Sequence, residues 1–304
     1  MKRTCVRTAG LSIAAMSLLA GVTACQASGD SGSSAGSSSG SKGSSGGSEG
    51  ARFDPIAALR TAEKSTDGAD SAKVESTTTM GSVMSMTADG SLAWGDGLTG
   101  RLTITYTGGT MADTMRQMGS DSMEARYLPD AYYARMGDAF AQQSGGKHWI
   151  KYAYDDLESL AGSSGAYLKD QMQNTTPNQS VKLLLASGDV RKVGEEKVRG
   201  QRTTHYAGTV DVADLAEKNS SLSQSQLDDL KKTLEQAGVT TETVDIWVDD
   251  QDLLVKKVEK GETTAGAYSQ TAYYSDYGTE VAVEAPPASD TADFTELVKQ
   301  QSGG

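Results

Sequence analysis

Arg101-Leu102-Thr103-Ile104-Thr105-Tyr106 alternates large apolar side chains with polar or charged ones, residue by residue. A period of two puts Leu102, Ile104 and Tyr106 on one side of an extended chain and Arg101, Thr103 and Thr105 on the other. Such a strand suits a sheet covered on one face and wet on the other, the usual condition of an antiparallel sheet. The same rhythm recurs in Met123, Ala125 and Tyr127, in Tyr206, Gly208, Val210 and Val212, and in Val244, Ile246 and Val248. Tyr268, Ala272 and Tyr274 make another run, and Val281 and Val283 the last.

Helical spacing interrupts the strands. Asp54-Pro55 reads as an N-cap followed by the first helical residue, with Ile56 and Leu59 on one face and a stop near Gly68. Leu157 and Leu160 lie three apart. Val181, Leu184 and Leu185 follow Pro177 at i, i+3, i+4, and Leu227, Leu230 and Leu234 precede a stop at Gly238. Strands, helices and strands in blocks predict an α+β fold rather than alternating βαβ units. The expected architecture is one large, curved antiparallel sheet with helices across its concave face.

The N-terminus reads differently. Lys2, Arg3 and Arg7 precede the apolar run Leu11–Ala20, and small residues then lead to Val22-Thr23-Ala24-Cys25. A charged start, a short apolar core and a small-residue exit make a secretory signal. The run is too short for the roughly 20 residues that cross a bilayer. The last four residues form a lipobox, so residues 1–24 are expected to be removed and Cys25 to be lipidated. The stretch from Gln26 to Gly50 is almost wholly Ser and Gly, a composition that stays a flexible coil. Residues 25–51 are thus expected to be a tether, 52–300 the folded body and 301–304 a disordered tail.

The formal net charge is −12, and the signal holds three of the cations, so the remainder is more acidic still. Such a chain would repel nucleic acid and anionic headgroups. Membrane contact is therefore expected through the lipid anchor on the extracytoplasmic face of the cell membrane. The two cysteines are Cys5, in the signal, and Cys25, in the lipobox, which leaves no disulfide for the body.

Motifs for chemistry are sparse. Gly95-Asp96-Gly97-Leu98-Thr99-Gly100 fits G-x-G-x-x-G but leads into a strand, where a dinucleotide site needs a helix. Asp249-Asp250-Gln251-Asp252 reads as an acidic turn between strands, because Leu253-Leu254-Val255 does not continue a calcium loop. His148 and His205 are the only histidines, and neither sits in a zinc motif. A serine triad would have to be assembled in space around one of them. Met80, Met84 and Met86, and Met111, Met115, Met118 and Met123, offer thioethers for Cu(I), but pliable apolar surface is the stronger reading. No cofactor, metal or catalytic residue is assigned.

Gly200-Gln201-Arg202-Thr203-Thr204-His205-Tyr206-Ala207-Gly208-Thr209-Val210-Asp211, then Val244-Asp245-Ile246-Trp247-Val248-Asp249, then Tyr274-Ser275-Asp276-Tyr277-Gly278, then Val281-Ala282-Val283-Glu284-Ala285-Pro286-Pro287 follow the lipobox and tether in order. In this the body, over most of Arg52 to Pro287, resembles the LppX/LprG family of actinobacterial lipoproteins, related in shape to the LolA and LolB carriers. The resemblance implies a half-barrel enclosing a hydrophobic cavity that takes up a lipid or acylated glycolipid, in a monomer without enzymatic activity. The lining candidates are Leu102, Ile104, Tyr106, Val181, Leu184, Leu185, Val210, Ile246 and Tyr274; alternation reports burial alone, so each also fits ordinary core. The competing expectation is a ligand-free envelope lipoprotein that docks or senses a protein partner.

Overall fold

The computed structural model describes residues 54–157, 169, 172–173, 176–211 and 238–302. Helix α1 (Pro55–Asp67) opens as expected: the Asp54 side chain accepts a hydrogen bond from the Ile56 N–H, and Pro55 occupies the first turn. It leads into β1 (Ser71–Met80), β2 (Met84–Ala93) and β3 (Thr99–Gly108), then α2 (Gly109–Gln117), β4 (Ser122–Tyr127) and β5 (Ala131–Arg135). Next come α3 (Asp138–Gln143), β6 (Trp149–Ala153), α4 (Pro177–Ser187), β7 (Arg191–Val198) and β8 (Gln201–Asp211). The chain closes with β9 (Thr241–Asp249), β10 (Leu254–Thr263), β11 (Gly266–Ser275), β12 (Thr291–Asp293) and α5 (Phe294–Ser302).

The strands form one open sheet in the order β12-β6-β5-β4-β3-β2-β1-β11-β10-β9-β8-β7. Every pairing is antiparallel except that of β12 with β6. Chain neighbours mostly pair directly, while β1 closes against β11, so the two halves join in the middle of one sheet. The fold is α+β with a large open antiparallel sheet, as the alternation and the block order of elements predict.

Two tight connections also match the sequence. Residues 95–98 turn from β2 to β3, so the glycine-rich hexapeptide joins strands. Asp249–Asp252 turns from β9 to β10, with Asp249 Oδ1 accepting from the Gln251 and Leu253 N–H groups. The segment around Met111, which could have been a loop, is helix α2, with Met115 buried beneath it.

Other expectations fail. Val281 and Val283 are not in a strand: residues 279–287 run outside the ladder. Pro286 and Pro287 have no N–H to give a sheet. The segment is instead tied down by Ser71 Oγ donating to the Thr279 carbonyl at 2.6 Å and Arg126 donating to the Glu284 carbonyl at 2.9 Å. Helix α5 reaches Ser302, two residues beyond the boundary expected for the body. Nor is the second face of the sheet simply polar. Val198, Trp247, Val255 and Val258 cluster there with Tyr273, and Ala131, Tyr133 and Trp149 with Leu128. Cations roof these clusters: Lys256 lies 3.9 Å from the Trp247 ring, Arg199 3.9 Å from Tyr273 and Arg126 4.5 Å from Trp149.

Candidate functional site

The register decides which side chains share a face, because residues directly opposite one another in a ladder point the same way. Leu102 stands opposite Ala125 on β4 and Gly90 on β2, Gly90 opposite Val74 on β1, and Val74 opposite Tyr274 on β11. Two residues from Tyr274, Ala272 faces Lys257 on β10; Lys257 faces Ile246 on β9, and Ile246 faces Tyr206 on β8. Leu102, Ile104, Tyr106, Val210, Ile246 and Tyr274 therefore all lie on one face, here called the inner face. All six are buried.

Helix α4 lies on the same face. Pro177 starts it, and Gly188, in the left-handed conformation with φ 74°, ends it. Val181 and Leu184 have no exposed surface, whereas Leu185 is only half-buried. The helix comes so close to β8 that Gly208 has no room for a side chain. A Cβ there would fall 1.7 Å from the Asp189 carbonyl oxygen and 2.6 Å from Leu184 Cδ1. Helix α1 braces α4, with Asn178 Nδ2 donating to Asp67 Oδ1 at 3.0 Å. Thr66 Oγ1, also on α1, accepts from the Leu254 N–H at 3.1 Å.

Under α4 sits a buried polar cluster that alternation gives no means of finding. Lys257 Nζ donates to Ser180 Oγ at 2.8 Å and to both carboxylate oxygens of Glu259 at 3.1 Å. Ser180 in turn donates to Glu259 Oε1. Burial pulls the Lys257 ammonium down, but Glu259, Tyr274 and Glu242 more than offset this and hold it well above the usual lysine range. Burial, with the like charge of Glu259, pushes the Glu242 carboxyl up to about 8 against the opposing pull of Lys257. Ser180–Lys257 is thus a helix-to-sheet clamp with a charged lysine, not a serine beside a free base.

At the other end of the inner face the residues are aromatic. Tyr127 opposes Tyr132, and Tyr132 opposes Tyr152. Their rings run as a ladder, 5.1 Å from Tyr127 to Tyr132, 5.8 Å from Tyr132 to Tyr152 and 4.7 Å from Tyr152 to Phe294 of α5. Burial pushes the Tyr127 and Tyr152 phenols up to about 12 and raises Tyr106 and Tyr132 as well.

The histidines sit among carboxylates. His148 Nδ1 is 2.7 Å from Asp290 Oδ1 and its Nε2 is 3.8 Å from Asp138. His205 Nε2 is 2.7 Å from Asp245 Oδ1, its Nδ1 is 3.6 Å from Glu196, and its ring stacks 4.1 Å from Trp247. Among the described residues neither imidazole hydrogen-bonds a serine, so no triad is assembled around them. A cleft of about 340 Å³ lies by the ends of β1 and β2, lined by Asp70, Ser71, Gly95, Asp96, Thr99 and Thr279. It is polar and open, and separate from the apolar inner face. Cys25, Leu160, Val212, Leu227, Leu230 and Leu234 lie outside the described residues.

No family model matches the sequence. It is 61% identical over 251 residues, 82% of each chain, to the "Uncharacterized 31.2 kDa protein in rplA-rplJ intergenic region" of Streptomyces griseus. It is 52% identical over 309 residues, 99% of each chain, to the "Putative lipoprotein SCO4650" of Streptomyces coelicolor. Among solved structures it is similar to LprF from Mycobacterium bovis, at 13% identity and TM-score 0.47, over 77% of this chain and 97% of that one. It is also similar to the Mycobacterium tuberculosis lipoprotein LppX, at 18% identity and TM-score 0.46, over 75% and 97%.

Proposed function

The chain belongs to the Streptomyces family that includes the SCO4650 protein, and on that premise we propose that it is a lipid-anchored extracytoplasmic lipoprotein that binds a lipid or other hydrophobic ligand as a carrier. The observation that carries this reading is the shared inner face: six apolar or aromatic candidates from four strands project to one side of an open sheet, under α4. An acyl chain in water costs about 25 cal/mol per Å² of apolar surface, so a carrier works by offering a dry surface of similar extent. Leu102, Ile104, Tyr106, Val210, Ile246 and Tyr274 supply the sheet side of that surface. Val181, Leu184 and Leu185 supply the helix side. Lifting α4 would open it, and the Lys257–Glu259–Ser180 clamp opposes that motion.

On this reading the body binds and does not catalyse, and Lys257, Glu259 and Ser180 serve to hold one another. Transfer of a pyrene-labelled lipid from vesicles to the protein tests it: saturable uptake supports binding, and none at any protein concentration opposes it.

The anchor is the second part of the proposal. Residues 1–24 are removed, Cys25 carries the lipid, and residues 25–51 tether the body to the cell membrane. A single acyl chain gives only marginal membrane binding, whereas two or three hold firmly. Radiolabelled palmitate should therefore enter the wild-type protein and be lost completely in Cys25→Ala. Equal labelling of both would place the lipid elsewhere.

A further inference from the structure

We infer that Tyr127, Tyr132, Tyr152 and Tyr154 form the seat for an uncharged lipid headgroup bearing hydroxyl or ester oxygens. This refines, and rests on, the lipid-binding reading above.

The first three phenols come from adjacent strands and stack as the ring ladder already described. Tyr154 follows β6 directly and is 2% exposed. Its hydroxyl is buried and has no hydrogen-bond partner among the described residues. A buried hydroxyl left unpaired is costly, and its retention calls for a partner that arrives from outside. The phenols lie close enough to disfavour one another's ionisation: Tyr127, Tyr152 and Tyr154 each act on Tyr132 in this way. With burial added, all remain neutral donors throughout the physiological range.

The charge around them selects the guest. The remaining inner-face positions of β3–β6 are apolar residues, Gly100 and Tyr106, with no ammonium or guanidinium among the described residues. Arg126 lies on the opposite face, over Trp149. Asp130, a carboxylate, lies near enough to Tyr154 to disfavour its ionisation. A phosphate headgroup would be buried here without a cation and beside an anion, which is unfavourable. Hydroxyl and ester oxygens accept from phenols at no such cost, and the stacked rings offer flat apolar faces to the carbon skeleton between those oxygens.

The test uses the mature chain from residue 25, as Cys25→Ala, with three pyrene probes: a diacylglycerol, a phosphatidylglycerol and a headless alkane. Wild-type Tyr residues should give tighter binding of diacylglycerol than of phosphatidylglycerol. The combined change Tyr127→Phe, Tyr132→Phe, Tyr154→Phe keeps the rings and should weaken diacylglycerol binding about tenfold. Alkane binding should stay within about twofold. Tyr154→Phe alone, which removes the unpaired hydroxyl, should raise the thermal midpoint and so checks folding independently. Unchanged diacylglycerol binding in the triple variant, with alkane still bound, overturns the seat and leaves the lipid-binding reading standing. Equal or tighter phosphatidylglycerol binding overturns the uncharged class. Failure of all three probes to bind overturns the lipid-binding reading and this inference with it.

Discussion

Lys257→Met should destabilise the folded body by about 3–5 kcal/mol, the cost of removing one partner from a buried ion pair. Lys257 and Glu259 are both close to fully buried, with side chains 12% and 9% exposed. Without the ammonium, the Glu259 carboxylate keeps only Ser180 as a donor, and Glu242 loses its one attractive neighbour. The remaining charge is buried and uncompensated, which costs far more than a lost surface pair. Changing Lys257→Met and Glu259→Leu together removes both charges and should recover much of the loss, since packed apolar residues replace buried pairs at little cost. Urea unfolding followed by far-ultraviolet circular dichroism reads both effects. A Lys257→Met midpoint equal to wild type would show that the cluster is not a clamp.

Leu184→Trp is expected to abolish most lipid uptake and to cost about 1–3 kcal/mol of stability, because its site is already full. Leu184 has no exposed surface and touches the backbone position of Gly208, so an indole there must push α4 away from β8. Val181→Trp meets the same obstacle one turn earlier. Their burial makes both poor probes of the proposed binding wall alone. Leu185 is the cleaner test, since it is half-buried on the same helix. Leu185→Trp should stay within about 1 kcal/mol of wild type and still lower uptake of a labelled lipid several-fold. Wild-type uptake by Leu185→Trp and Leu184→Trp alike would remove α4 from the binding wall.

Much of the sheet is legible in the sequence because one rule, alternation, governs strands with one apolar face. Leu102–Tyr106 and Val244–Val248 follow it and fall where expected. Strand β1 hides because Ser76, Thr77, Thr78 and Thr79 are polar on both faces. Strand β7, at the sheet edge, hides because nearly all of it is exposed and charged, as edges often are. Val281 and Val283 mislead in the opposite direction: the period is right, but the prolines beyond them leave no ladder to join. Trp247 shows the limit of the two-face rule, since it alternates with the apolar set and is buried on the other side by Lys256 and His205.

The site was legible in the same uneven way. The strand candidates share a face because alternation and register are the same information seen at two scales. The Lys257–Glu259–Ser180 clamp was not, because charged residues on an inner face look like solvent-facing ones until α4 is placed over them. The tyrosine ladder escaped for a similar reason: Tyr127, Tyr132 and Tyr152 lie on three different strands and line up only through the register of β4, β5 and β6.

Native mass spectrometry of residues 52–304, produced in a lipid-containing host and then exchanged against labelled membranes, bears most directly on whether the inner face holds a greasy guest. The account predicts a second charge-state series, heavier than the bare chain by the mass of one lipid and carrying the label after exchange. A single series at the mass of the bare polypeptide, before and after exchange, would contradict it and mean that the interior is filled by the protein's own side chains.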